Sequence, residues 1–121
     1  MVDLTKPQST LWLSEGDIEF TKLNGVTVNW KTNESNDIGE YQILHREKGN
    51  QSWDILGTYN SIGSSWFLPY KDGTFELKSI AIDYAGNNEL KIVADITITF
   101  DREKPEIAFN QTSDFTGKDG L

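Results

Sequence analysis

The stretch Phe75-Glu76-Leu77-Lys78-Ser79-Ile80-Ala81-Ile82 decides the fold class. Phe75, Leu77, Ser79 and Ala81 alternate with Glu76, Lys78, Ile80 and Ile82, a period of two that sends successive side chains to opposite faces of a sheet. Lys71-Asp72-Gly73 before it and Ala85-Gly86-Asn87-Asn88 after it are turn-forming runs that bound the strand. The same period recurs along the chain. Val26, Val28 and Trp30 alternate with Thr27 and Asn29 directly after Asn24-Gly25. Tyr41, Ile43 and His45 alternate with Gln42, Leu44 and Arg46, and a long alternating run extends from Ile92 to Phe100. Shorter strands are expected at Leu11 to Leu13, Ile18 to Phe20, Trp53 to Tyr59 and Ser64 to Leu68. Helical periodicity is nearly absent. Short strands with turn signals about every 8–12 residues predict an all-β fold, a seven- to eight-stranded antiparallel β-sandwich.

The expected core holds Val28, Trp30, Tyr41, Ile43, Leu77, Ala81, Ile96 and Ile98. Ile80 and Ile82 fall on the nominally outward face, where a bulge or cover from a neighbouring unit would account for them.

Composition narrows the function classes. The chain has 121 residues, enough for one stable core, and no cysteine, which excludes disulfides, thiolate metal sites and cysteine nucleophiles. A formal charge of −8 with no Lys/Arg-rich run speaks against nucleic acid and anionic membrane surfaces as partners. No apolar run is long enough for a membrane-spanning helix, so no direct membrane insertion is expected.

Two hinge-like stretches repeat each other. Val2-Asp3-Leu4-Thr5-Lys6-Pro7 and Phe100-Asp101-Arg102-Glu103-Lys104-Pro105 share an apolar residue, Asp, two variable residues and Lys-Pro, 98 residues apart (Asp3 to Asp101). That separation is the size of one small domain. The expected organisation is an inter-repeat linker at 1–6, a sandwich repeat at 7–100, and at 101–121 a linker followed by a truncated, disordered start of the next repeat. Ile107 and Phe109 would belong to that next first strand. Three Asn-x-Ser/Thr sequons, at Asn33, Asn50 and Asn110, fall in expected loops or the tail.

The segment Gly73 to Asn87, with Gly73-Thr74-Phe75 at one end and Ala81-Ile82-Asp83-Tyr84-Ala85-Gly86-Asn87 at the other, resembles the penultimate strand and following turn of fibronectin type III-like and bacterial immunoglobulin-like repeats. Val26 to Trp30 resembles the second strand of type III domains, and Ile38 to Ile43 with Tyr41 resembles the third. The Asp-x-x-Lys-Pro stretches resemble the linkers between such repeats. The likeness covers roughly residues 7 to 100. Two positions depart from it: Phe75 stands where the family usually has Tyr, and Ser79 where it usually has Val or Leu. The resemblance implies a repeat of a large extracellular or cell-surface protein of bacteria or archaea, acting as spacer or adhesion unit. Its partners would be neighbouring repeats, with glycans or other surface proteins as further candidates, and the isolated module would be monomeric.

Candidate chemistry is sparse. The single imidazole, His45, lies on an expected strand, and no Gly-x-Ser-x-Gly elbow, phosphate-binding Gly-rich loop or His-Glu-x-x-His pair occurs, so the chain reads as a non-enzyme without a required cofactor. Calcium is the one metal to weigh. Asp83 and Asn87 at the Ala-Gly-Asn turn and Asp101 in the linker supply hard oxygen ligands if the fold brings them together. Turn chemistry, in which Asp and Asn cap their own backbone, is the plainer account. An accessory carbohydrate-binding role rests on Trp12, Trp53 and Trp66, which the core does not require and whose rings could stack on sugar faces. Sealing the sandwich edges is the other use for such rings.

Overall fold

The computed structural model describes residues 7–32 and 38–102. Among them are eight strands and no helix: β1 (Ser9–Leu13), β2 (Phe20–Thr21), β3 (Val26–Thr32), β4 (Ile38–Glu47), β5 (Asp54–Tyr59), β6 (Gly63–Phe67), β7 (Gly73–Asp83) and β8 (Ile96–Phe100). β1-β3-β6 form a three-stranded sheet and β2-β8-β7-β4-β5 a five-stranded one. Every pairing is antiparallel except the short β2/β8 contact. The two sheets enclose one core, giving a sandwich-like all-β fold.

Alternation places that core. Along β7, residues Phe75, Leu77, Ser79, Ala81 and Asp83 turn inward and their neighbours outward without interruption. From the facing sheet, Val26, Val28 and Trp30 on β3 and Leu11 and Leu13 on β1 meet them. Val28, Trp30, Tyr41, Ile43, Leu77, Ala81 and Ile98 are buried. Ile96, expected with them, is only partly buried because it opens β8 beside the seam between the sheets, lined also by Leu11 and Ile18. Phe67, Phe75 and Phe100 form an aromatic trio with ring centroids 5.8, 6.0 and 6.1 Å apart, at tilted to edge-on angles. Burial of each such side chain contributes about 1.5–3 kcal/mol. Trp30 packs on Tyr59 at 4.4 Å, and its indole N–H donates to the Ser61 carbonyl at 2.9 Å.

Two details differ from the alternation reading, and a third, the outward placing of Ile80 and Ile82, follows it. The run expected from Ile92 pairs as a strand only from Ile96, because the Asp95 carboxylate takes the Ser79 N–H at 3.0 Å where a β8 carbonyl would otherwise sit. The Ile18 to Phe20 run contributes only Phe20–Thr21 as strand. Ile80 and Ile82 lie on the outer face, half-exposed opposite Gln42 and Glu40, and the β4 register is irregular between Ile38 and Glu40, beside Ile82.

The described chain starts and ends at opposite poles of the sandwich. Ser9 lies opposite Thr32, Gly63 opposite Trp30 and Ile38 opposite Asp83, which defines the N-terminal pole. Val26 opposite Phe67 and Gly73 opposite Phe100 define the C-terminal pole. There the Arg102 guanidinium donates to Asp72 at 2.6 Å and to the Asn24 and Pro69 carbonyls at 3.3 Å, pinning the departing chain. β7 runs the whole distance, roughly 33 Å at the rise of a strand. The linker expected at 1–6, residues 103–121, and the sequons at Asn33 and Asn110 lie outside the described residues.

Candidate functional site

The densest polar constellation closes the seam between β1 and the upper half of β7. β8 pairs with β7 only from Gly73 to Leu77, so the backbone groups that β7 presents to the same edge beyond Leu77 need other partners. The following loop supplies them, by its backbone at Asn87 and Glu89 and by side chains for the Ser79 and Ala81 N–H groups. The Ala81 N–H donates to Glu89 Oε1 at 2.9 Å, and the Ser79 N–H donates to Asp95 Oδ2. On the other sheet, the Ser9 N–H donates to Glu89 Oε2 at 2.9 Å and the Ser9 hydroxyl to Glu89 Oε1 at 2.6 Å. Lys91 Nζ sits between, 2.7 Å from Asp95 Oδ2, 3.1 Å from the Ser9 carbonyl, 3.2 Å from the Ser79 hydroxyl and 3.5 Å from Glu89 Oε2. The Ser9 and Ser79 hydroxyls are 2.7 Å apart.

The arrangement is a staple. Each carboxylate replaces a missing ladder acceptor on β7; Glu89 also reaches Ser9 on the other sheet, and Lys91 links Asp95 to the Ser9 carbonyl, leaving these buried polar groups satisfied. Ser79 is fully buried, so its closeness to Lys91 gives no substrate access to a nucleophile. The loop is consequently inverted: Glu89, Lys91 and Asp95 face inward, while Leu90, Ile92 and Val93 are each more than three-quarters exposed.

The tryptophans separate onto the two sheets. Trp12 on β1 lies opposite Asn29, and Trp66 on β6 lies opposite Thr27, so both stand on the outer face of the three-stranded sheet, 42 % and 52 % exposed. Two strand widths and two residues of offset put their Cα atoms about 12 Å apart. Lys31 Nζ lies 5.3 Å from the Trp12 ring centre. The Trp66 ring lies on Gly25, where a Cβ would come within 2.7 Å of the ring and 2.5 Å of the Phe67 carbonyl oxygen. Trp53 is remote from both. It is half-buried and clasped by the Arg46 guanidinium at 4.2 Å and the Lys78 ammonium at 4.4 Å, while Arg46 also pairs with Glu76 at 2.7 Å. Burial lowers the pKa of Lys78, with Arg46 and Lys91 adding to the effect.

The calcium candidates do not converge. Asp83 accepts the Asn87 backbone N–H at 2.8 Å and its side-chain amide at 3.0 Å, and the side-chain bond leads in lowering the Asp83 pKa. Gly86 at φ 90° completes this turn. Asp101 lies at the opposite pole, its N–H donating to the Thr21 carbonyl at 2.9 Å. β7 and β8 are antiparallel, so the turn after one and the chain after the other leave at opposite ends. Among the described residues no group of three or more His, Asp or Glu is placed to hold a metal ion.

His45 faces the core, its ring 5.2 Å from Phe67, with Asp54 opposite on β5. Burial lowers its pKa and Asp54 opposes the shift.

Sequence reasoning did not find the Ser9-Ser79-Glu89-Lys91-Asp95 staple. One signal was present: Ser79 occupies a strand position where the resembled family has an aliphatic residue. No family model matches this chain, and no curated protein matches it significantly.

Proposed function

We propose that the chain is a non-catalytic, fibronectin type III-like β-sandwich repeat that serves as spacer or adhesion unit in a tandem array on a cell surface or secreted protein. The observation that carries this reading is the course of the chain, which enters at one pole and leaves at the other, so that joined copies extend instead of folding back. The repeated Asp-x-x-Lys-Pro hinge agrees, since proline fixes φ at each junction and limits bending. The place of β5 favours the type III-like branch of the resemblance. It pairs with β4 in the five-stranded sheet, whereas a constant-type immunoglobulin domain returns its fourth strand to the sheet of the first.

Two copies joined through residues 101–106 test the reading by small-angle scattering. A spacer gives one elongated particle of fixed length. A pair that scatters as two independently oriented beads overturns it.

A second reading, glycan binding, is favoured by one observation: Trp12 and Trp66 present their rings on the same sheet face with Asn29 and Thr27 between them. Trp53 does not join that face. Quenching of tryptophan fluorescence by polysaccharide, lost in both Trp12→Ala and Trp66→Ala and kept in Trp53→Ala, would establish it. An unchanged spectrum removes it.

A further inference from the structure

Both poles carry large apolar side chains that the unit's own core does not cover. At the C-terminal pole Phe20, Leu23, Leu68 and Tyr70 are exposed, Phe20 and Tyr70 by more than 70 %. At the N-terminal pole Tyr84 and Leu90 are exposed, and Ile92 and Val93 continue the ridge down the adjoining flank. Polar turn residues would be expected at such loops if they faced only water.

The two tyrosines are held in place. Tyr84 lays its ring on Gly39, where a Cβ would approach the ring to 3.0 Å, yet it remains 79 % exposed. Tyr70 donates its hydroxyl to Glu47 at 3.0 Å, meets Phe75 edge-on at 6.0 Å and lies 5.7 Å from Lys71 Nζ. An aromatic ring immobilised before contact loses little entropy on docking, and such rings are the usual anchors of interfaces. The inverted loop points the same way, because the staple that draws Glu89, Lys91 and Asp95 inward forces Leu90, Ile92 and Val93 outward.

We propose that the C-terminal pole of one unit docks head to tail on the N-terminal pole of the next, Phe20, Leu23, Leu68 and Tyr70 meeting Tyr84, Leu90 and the flanking Ile92-Val93 ridge. This rests on the tandem-repeat reading above and specifies the joint. The chain itself argues for a sister copy as the occupant. If Ile107 in the next unit corresponds to Ser9, only residues 101–106 separate β8 from the following β1. Six residues reach at most about 20 Å, so the two poles are held against each other. Through so short a tether each pole meets the other at an effective concentration on the order of millimolar, and a weak contact then closes within the array while the free chain stays monomeric at micromolar concentration. The contact joins two different patches, so it propagates along an array instead of closing on itself as a dimer.

Sedimentation of the 121-residue chain tests this. The wild type should be monomeric at micromolar concentration and associate at millimolar. Association should strengthen with salt, because units of charge −8 repel and screening relieves them. Leu90→Asp at one pole and Leu68→Asp at the other should each weaken self-association at least tenfold with unchanged melting temperature, both positions being exposed. Mixed together, the two variants should form discrete dimers, since each retains the pole that the other has lost. A wild type that stays monomeric at millimolar concentration, association indifferent to both substitutions, or a mixture that forms no dimer overturns the docking. The spacer reading is judged separately. A joined pair that remains one rod despite both substitutions keeps the spacer and removes the docked joint, and a wild-type pair of independent beads removes the spacer whatever the free chain does.

Discussion

β7 is held in two ways along one length. In its lower half, from Gly73 to Leu77, β8 lies on its edge as a regular ladder over a core of Phe67, Phe75 and Phe100. In its upper half, from Ser79 to Asp83, β8 no longer reaches it: the loop backbone bridges β7 where Asn88 faces Ile82, and two carboxylates, joined by a lysine, take the Ser79 and Ala81 N–H groups. The lower half depends on non-directional burial of area. The upper half depends on directed bonds among groups that are costly to leave unpaired. The difference teaches how a small sandwich ends one edge of a sheet early and still closes its seam. It also explains why the apolar residues of the upper loop face outward.

The largest effect should come from the lower half. Phe75 is 1 % exposed and touches both other rings of the trio, so Phe75→Ala should cost about 3–5 kcal/mol in urea unfolding. That is a large share of a typical total of about 5–15 kcal/mol. A loss below about 1 kcal/mol would mean that the trio is not the packing centre.

Next comes the upper half. Lys91→Met leaves Glu89 and Asp95 facing each other without their cation. Residual exposure of 12 % and 16 % at the Lys91 and Asp95 side chains lets water soften the cost to about 2 kcal/mol, less than for a fully buried pair. Adding Asp95→Asn should recover part of it, since the amide oxygen still accepts the Ser79 N–H while the unpaired charge is removed. If Lys91→Met costs nothing measurable, the staple acts through packing of the lysine stem, which methionine retains, instead of through charge.

Gly25→Ala returns to the C-terminal pole with an expected cost of about 1–3 kcal/mol. Its Cβ meets the Trp66 ring, which can move, and the Phe67 carbonyl oxygen at 2.5 Å, which cannot move cheaply. Trp66→Ala in the same chain should therefore fail to restore stability. Full restoration would show that the ring alone resists the methyl group.

The two halves were unequally legible. The lower half could be read from alternation because apolar-in, polar-out is the arrangement that area burial favours, and Phe75, Leu77 and Ile98 obey it. The upper half inverts that sign. Glu89, Leu90, Lys91 and Ile92 keep a period of two, but the charged members face inward, and only partners far away in the chain, Ser9 and Ser79, make that affordable. No local pattern encodes such a partnership. The tryptophan and calcium candidates failed to assemble for a related reason. Which residues share a face follows from strand order, so Trp53 parted from Trp12 and Trp66, and Asp101 from Asp83, once β5 paired with β4 and β8 ran antiparallel to β7.

The smallest expected effect concerns pH, and it again separates the halves. His45 belongs to the lower half, against Phe67, and burial lowers its pKa below the usual 6.5 despite the opposing charge of Asp54. The unfolded chain therefore binds this proton at a higher pH than the folded one. Folding favours the neutral ring, so its contribution is complete above pH 6.5 and declines as the pH falls through the window between the unfolded and folded values. Melting temperature should thus drop on acidification from pH 7.5 to about 5.5, and His45→Gln should flatten that slope over this window alone. At still lower pH the Asp83 carboxyl, its pKa lowered first by the Asn87 side-chain bond, adds a second loss at the N-terminal pole. Asn87→Ala should reduce that lower-pH loss and leave the His45 window untouched. A variant at either residue that changed both windows equally would mean that the halves titrate as one unit, and the division of β7 into two independently held segments would fail.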